Sequence, residues 1–150
     1  MAALEGLANF VRMIIDQVWS TMSSCRIVEI LLEKRPELID LTNSDGHNAL
    51  HYAAQKNHPR AVELLLSKQS ELAYMRNLKN LWSPLHMAAH YGSTDAIKAL
   101  LRHCPDVAET VDSSGRNAFH VAVVSNKVTT LKRLLRHVRE ASGGFEPRRP

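Results

Sequence analysis

The residues best equipped for chemistry are histidines: His51, His86 and His120 recur at steps of 35 and 34 residues, and His90 stands four residues after His86. Imidazoles ligate zinc and shuttle protons, so a metal centre is the first chemistry to weigh. Zinc–nitrogen bonds of about 2.0–2.1 Å require ligand atoms nearly in contact, whereas packed helices have axes about 8–10 Å apart. Histidines one repeat apart therefore cannot share an ion. The His86/His90 pair has the helical spacing of a zinc peptidase, but Met87 occupies the place where the Glu base would stand. No Gly-rich phosphate loop, Ser/His/Asp grouping or paired-carboxylate cleft can be assembled from the remaining residues. The sequence points away from an enzyme, and no metal or cofactor is implied.

What positions these histidines is a repeat. Leu50-His51-Tyr52-Ala53-Ala54 returns as Leu85-His86-Met87-Ala88-Ala89 and as Phe119-His120-Val121-Ala122-Val123. A second block keeps the same step: Val28-Glu29-Ile30-Leu31-Leu32, Val62-Glu63-Leu64-Leu65-Leu66, Ile97-Lys98-Ala99-Leu100-Leu101 and Leu131-Lys132-Arg133-Leu134-Leu135. A period of this length signals stacked supersecondary units. Asn48, Ser83 and Asn117 are placed to N-cap a first helix in each unit, with Pro84 suited to the position after the cap. That helix ends at Asn57, Gly92 and Asn126, residue types that tolerate a left-handed turn. A second helix carries the Leu-Leu pair, and Pro36 and Pro105 stop it. Each helix pair is too thin to bury its own apolar face, so neighbouring units must stack into an all-α solenoid. Small Ala53, Ala54, Ala88, Ala89 and Ala122 allow the first helices to approach closely.

Composition agrees with a soluble, helix-rich chain: 150 residues, 45% hydrophobic but 5% aromatic, 23% charged. Residues 1–100 hold 10 Lys/Arg against 10 Asp/Glu, while 101–150 hold 9 against 5, so the net charge of +4 arises in the last third. Cys25 and Cys104 have no metal-binding spacing and read as free thiols of a reducing compartment. The first residues lack a basic n-region, and Glu5, Arg12 and Asp16 break up the apolar residues at this end, so neither signal peptide nor membrane span is expected.

Ser83-Pro84-Leu85-His86-Met87-Ala88-Ala89 resembles the T-P-L-H-x-A-A signature of ankyrin repeats, and the resemblance covers about residues 24–138. It implies an ankyrin-repeat solenoid of helix-turn-helix units with short β-hairpin loops. The expected boundaries are a degenerate capping helix over 1–23, a partial unit 24–42, full units 43–77, 78–111 and 112–138, and a flexible tail 139–150. The capping helix rests on a stripe of Leu4, Leu7, Val11, Ile14, Ile15 and Val18. In the family the signature histidine bonds the neighbouring cap residue and backbone, which gives His51, His86 and His120 a structural role. Pro36-Glu37-Leu38-Ile39, Asn48-Ala49-Leu50-His51-Tyr52 and Gly115-Arg116-Asn117-Ala118-Phe119-His120 further resemble plant ankyrin proteins of the accelerated-cell-death type. That likeness implies membrane-associated defence or stress signalling. Such proteins continue into further repeats and a membrane domain with a Pro-Gly-Gly motif, absent from this sequence. Beside the first expectation of an adaptor or scaffold therefore stands the alternative of a truncated form that associates with a membrane or with full-length homologues. A second departure is Leu81, where the flanking units have Gly46 and Gly115; a Leu there must adopt a costly positive φ.

Ankyrin relatives bind partner proteins through hairpin tips and concave first helices, at positions that vary between units. Here these are His47, Lys79, Asn80, Trp82 and Arg116 at the tips, and Tyr52, Gln55, Lys56, Met87, His90, Tyr91, Val124 and Ser125 along the helices. Trp82, Tyr91 and Arg116 are the candidate anchors, because aromatic and Arg side chains dominate interface energies. Lys127, Lys132, Arg133, Arg136 and Arg139 form a basic run that could attract nucleic acid or acidic lipid. Val128, Leu131, Leu134, Leu135 and Val138 define a buried stripe on the same helix, so the basic side chains read first as its solvated face and nucleic acid is not the expected partner. The expected partner is a protein, including a homologous ankyrin protein, met in the cytoplasm or at the cytoplasmic face of a membrane.

Overall fold

The computed structural model describes residues 22–141, together with Asn9 and Met13. The expected capping helix lies outside the described residues apart from these positions, and so does most of the expected tail. Among the described residues there are seven α-helices and no strand: α1 (Met22–Lys34), α2 (Ala49–Gln55), α3 (Pro59–Lys68), α4 (Pro84–Tyr91), α5 (Thr94–His103), α6 (Ala118–Val124) and α7 (Val128–Ala141). No described helix is long and apolar enough to cross a membrane. Short 3-10 turns at Pro36–Asp40, Ser70–Tyr74 and Pro105–Glu109 follow α1, α3 and α5. Pro at the first position of two of them bars continuation of the preceding helix.

The helices form two rows. Inner helices α2, α4 and α6 pack side by side, and outer helices α1, α3, α5 and α7 do the same behind them. One apolar cluster runs from Val28 to Leu134 through both rows. Leu50, Leu65, Leu85, Ile97, Leu100 and Leu134 are fully buried, and Ala53, Ala54, Ala88, Ala89 and Ala122 have no exposed surface. Truncating any of the larger members leaves a cavity in a core one helix pair thick, since each unit contacts only its neighbours.

The tips differ from expectation in one respect. Asn43, Asn77 and Asp112 each donate one backbone bond, to the carbonyls of His47, Trp82 and Arg116 at 3.0, 2.9 and 2.8 Å. One bond closes a turn but builds no ladder, so the expected β-hairpins are turns. Successive tips are tied by backbone bonds from Leu78 to Asp45 (2.9 Å) and from Ser113 to Asn80 (3.0 Å).

Left-handed residues sit at equivalent points of each unit. Gly46 and Gly115 adopt φ of 79° and 74° at the tips, and Leu81 adopts 57° at the third. Asn57, Gly92 and Asn126 take φ of 58°, 73° and 55° after the inner helices. The left-handed region costs an ordinary L-residue about 1–2 kcal/mol, and the entropy of Gly recovers about 0.5–1 kcal/mol of that difference. Leu81→Gly is therefore expected to stabilise the chain by roughly 0.5–1 kcal/mol, read as a higher urea midpoint at unchanged m-value. A lower midpoint would show that the half-exposed Leu81 side chain contributes more than its backbone costs.

Candidate functional site

Each inner helix opens with the same reciprocal cap. The side chains of Asn48, Ser83 and Asn117 accept from the backbone N–H of His51, His86 and His120, while each histidine Nδ1 accepts from the cap residue's N–H at 3.2 Å. With Nδ1 acting as acceptor, the proton sits on Nε2. From there His51 donates to the Trp82 carbonyl and His86 to the Arg116 carbonyl, both at 2.9 Å. The bonded carbonyls belong to the next unit's tip, so these two histidines hold neighbouring units in register. Burial pushes the His51 pKa down to about 4 against the opposing bond to Trp82. Burial also lowers that of His86, opposed by its bond to Arg116. His120 differs: it is exposed and makes the cap bonds, with no onward bond among the described residues.

The tips have their own organising residues, which sequence reasoning missed. Asn43 Oδ1 accepts from the N–H of Asp45 and His47 at 3.0 and 2.9 Å. Asn77 Oδ1 accepts from Asn80 and Trp82 at 3.2 and 3.0 Å. Asp112 Oδ1 accepts from Ser114 and Arg116, both at 2.9 Å. Short Asn/Asp side chains fold a turn by replacing backbone acceptors. The available signal was their recurrence five or six residues before the cap at Asn48, Ser83 and Asn117.

These turns deliver the candidate anchors to one place. The Trp82 indole N–H donates to Asp112 Oδ2 at 3.2 Å, and the Arg116 guanidinium donates to the same oxygen at 3.1 Å. Burial would raise the Asp112 pKa, but the Arg116 and Ser114 N–H groups, the indole and the guanidinium bring it down to about 2. Trp82 also lies against the His90 ring at 5.0 Å, and His90 meets Tyr91 edge-on at 4.9 Å. His90 Nδ1 is 2.8 Å from Ser125 Oγ, joining α4 to the end of α6. Tyr91 and Val124 are exposed at 49% and 69%, the free apolar surface of this cluster.

The other expected contact residues divide. Lys56 and Lys79 are exposed; Gln55, Asn80 and His47 are half-buried, His47 Nε2 accepting from Asn77 Nδ2 at 3.0 Å. Tyr52 and Met87 were expected to project from the inner helices, but both are buried. Their positions follow the signature histidine and face the core rather than solvent. Tyr52 still reaches the surface indirectly, because Lys56 Nζ lies 5.7 Å above its ring.

The chain matches the family described as Ankyrin repeats (3 copies) over residues 1–75 and 71–143. It is 39% identical over 79 residues to mouse protein phosphatase 1 regulatory subunit 12A, covering 51% of this chain and 7% of that protein. It is 30% identical over 118 residues to mouse ankyrin repeat and SAM domain-containing protein 6, covering 78% of this chain and 13% of the relative. Dog inversin is 31% identical over 100 residues, covering 66% and 9% respectively. The chain thus spans only a small part of the length of these relatives.

Proposed function

The chain belongs to the ankyrin-repeat family, and we propose that it is a non-catalytic interaction module that holds a partner protein against its tips and inner helices. The observation that carries this reading is the Trp82–His90–Tyr91 cluster. Asp112 holds the Trp82 ring and Ser125 the His90 ring, with Tyr91 edge-on to His90, so the surface they present carries a reduced ordering cost compared with flexible anchors. Lys56, Lys79 and Val124 add two cationic and one apolar exposed side chain on the tips and inner helices. No cofactor is required for this role. One relative carries the name of a regulatory subunit.

The test is capture from cell lysate with the wild-type chain and with a Lys79→Glu, Tyr91→Ala, Val124→Asp variant. All three positions are exposed, so the variant is expected to keep its helical circular dichroism. Partners held by the first bait and lost by the second locate recognition on this face. Identical partners on both baits would move it elsewhere.

A second reading is that the chain belongs with plant membrane-associated ankyrin proteins of the accelerated-cell-death type, in defence or stress signalling, and meets a homologous ankyrin protein at the cytoplasmic face of a membrane. The part of this reading that has an observation behind it is the meeting with a homologous ankyrin unit: His120 makes no onward bond among the described residues, and Val123 and Val124 are 59% and 69% exposed. A further unit docking there would supply the carbonyl that His51 and His86 already have. Recovery of ankyrin-repeat proteins in the same capture supports it, and their absence from plant lysate counts against it.

A further inference from the structure

The outer row carries grooves of its own, set apart from the tips and inner helices. A groove of ≈ 560 Å³ lies between α5 and α7. Lys98 and Arg102 line one wall and Arg133, Arg136 and His137 the other, with Leu101 and Pro105 among them; Glu140 is the acidic residue of the lining. Among the described residues no acidic side chain is within ion-pair distance of Lys98, Arg133 or Arg136, while Arg102 reaches Glu63 at 3.3 Å.

The repeat supplies an internal control. Two units earlier the same groove, ≈ 450 Å³ between α1 and α3, is lined by Leu32, Glu33, Pro36 and Lys68 at the positions of Leu101, Arg102, Pro105 and His137, with Glu37 and Asp40 beside them. That groove is acidic. The one between them is bridged by the Arg102–Glu63 pair. Along the stack the sign therefore reverses at fixed positions: Glu29 and Glu63 become Lys98 and Lys132, and Glu33 and Ser67 become Arg102 and Arg136. Arg133 stands where the other units have Ile30, Leu64 and Ala99. Ankyrin stacking needs none of these cations, since the equivalent positions fold with acidic, neutral or apolar residues.

We propose that the groove between α5 and α7 is a docking site for an acidic peptide segment of a partner protein. Charge complementarity names the partner's sign, and shape narrows its class. α5 has ten residues, about 15 Å of helix at 1.5 Å per residue, the length of roughly five extended residues. Arg133 and His137 are half-buried, while Lys98 and Arg136 are exposed. A flat bilayer meets the rims of such a recess and not its walls, whereas an extended chain lies between them. The lining holds no Trp, Tyr or Phe platform for a run of stacked bases, and its one aromatic ring is the half-buried His137, which favours a peptide over single-stranded nucleic acid.

Binding is read by fluorescence anisotropy with labelled octaglutamate, beside labelled oligouridylate and vesicles of phosphatidylcholine with phosphatidylserine. A Lys98→Glu, Arg136→Ser variant installs the residues that α3 carries at Glu63 and Ser67, so its fold is expected to persist. An Arg60→Glu, Lys68→Ser variant changes net charge equally on α3. Octaglutamate is expected to bind the wild-type chain, weaken with added salt, weaken roughly tenfold in the α5/α7 variant and bind the α3 variant nearly as wild type. Equal weakening in both variants would mean diffuse attraction and overturn the site. Absence of octaglutamate binding overturns the proposal too, and groove-dependent binding of vesicles or oligouridylate in its place would reassign the surface to that ligand. Should circular dichroism show the first variant unfolded, Arg136→Ser alone decides by the same comparison.

Discussion

Between pH 6.5 and about 4 the folded chain is expected to lose about 3 kcal/mol of stability as acid is added, with His51 as the main cause. The His51 ring is buried, keeps its proton on Nε2 and donates it to the Trp82 carbonyl, so a second proton has to occupy a desolvated nitrogen already accepting from Asn48. In the unfolded chain the same imidazole protonates near 6.5. Across this window the unfolded state binds more protons than the folded one, so stability rises with pH and falls on acidification. Below the folded-state value both states are protonated and the His51 contribution is fully lost. His86, lowered by burial as well, acts with the same sign. Asp112, brought down to about 2, adds a further loss only as pH falls through the ordinary carboxylate range. Urea unfolding at a series of pH values measures the slope, and His51→Gln separates the causes. Gln can still donate toward the Trp82 carbonyl but does not titrate. Its unfolding free energy is expected to be lower than wild type at neutral pH and flatter between about pH 6.5 and 5. An unchanged slope would assign the acid sensitivity to carboxylates.

That result would reach beyond stability, because the carbonyl receiving the His51 proton belongs to Trp82. The bond holding the units in register is also the one positioning the backbone of the candidate anchor. Protonation of the folded ring needs a pH near 4 and falls on Nδ1, so the Nε2 bond to Trp82 and the backbone it positions are expected to persist on mild acidification for as long as the chain stays folded.

Much of this arrangement was legible in the sequence because the repeat states each requirement several times. Asn48, Ser83 and Asn117 cap, Asn57, Gly92 and Asn126 turn, and the Leu-Leu pairs of α1, α3 and α5 pack, each for a local reason that one unit suffices to suggest. The stripe expected to be buried on α7 is fully buried only at Leu134, with Val128, Leu135 and Val138 exposed because no described outer helix packs beyond them. Leu81 was legible for the opposite reason: it breaks the pattern at a position where φ stays positive. Burial at the position after the histidine was not legible. Tyr52 and Met87 differ in size from unit to unit, which read as variation on an exposed face, yet both are buried. Variation there reflects the space left by different neighbours, a property of pairs of units that no single unit encodes. The tip turns were hidden differently. Asn43, Asn77 and Asp112 look like ordinary polar loop residues until their oxygens are seen accepting two backbone N–H groups each. The basic groove needed the fold as well, because Lys98 and Arg136 are 38 positions apart in sequence and meet only when the outer helices stack.

Asp112→Ala is expected to destabilise the chain by about 2–4 kcal/mol and to release Trp82. The wild-type side chain is wholly inaccessible, and its two oxygens accept four bonds: from the N–H groups of Ser114 and Arg116, the indole of Trp82 and the guanidinium of Arg116. Truncation leaves these donors without an acceptor. The Arg116 side chain, 37% exposed, can turn to water, but the backbone N–H groups of the tip cannot move without opening the turn. Asp112→Asn divides the effect. Its amide oxygen can keep the two backbone bonds, while its NH2 group would face the indole N–H and the guanidinium, donor against donor. The Asn variant is therefore expected to hold the tip, cost about 1–2 kcal/mol, and still loosen Trp82 and Arg116. Urea unfolding gives the two stabilities, and indole fluorescence in a Trp19→Phe background, where Trp82 is the remaining tryptophan, gives the state of the anchor. If the Asn variant matches wild type in both readouts, the Asp112 charge does not order the site. If it loses capture of partners while the tip stays folded, the rigid placement of Trp82 and Arg116, rather than their exposed area alone, is what recognition uses.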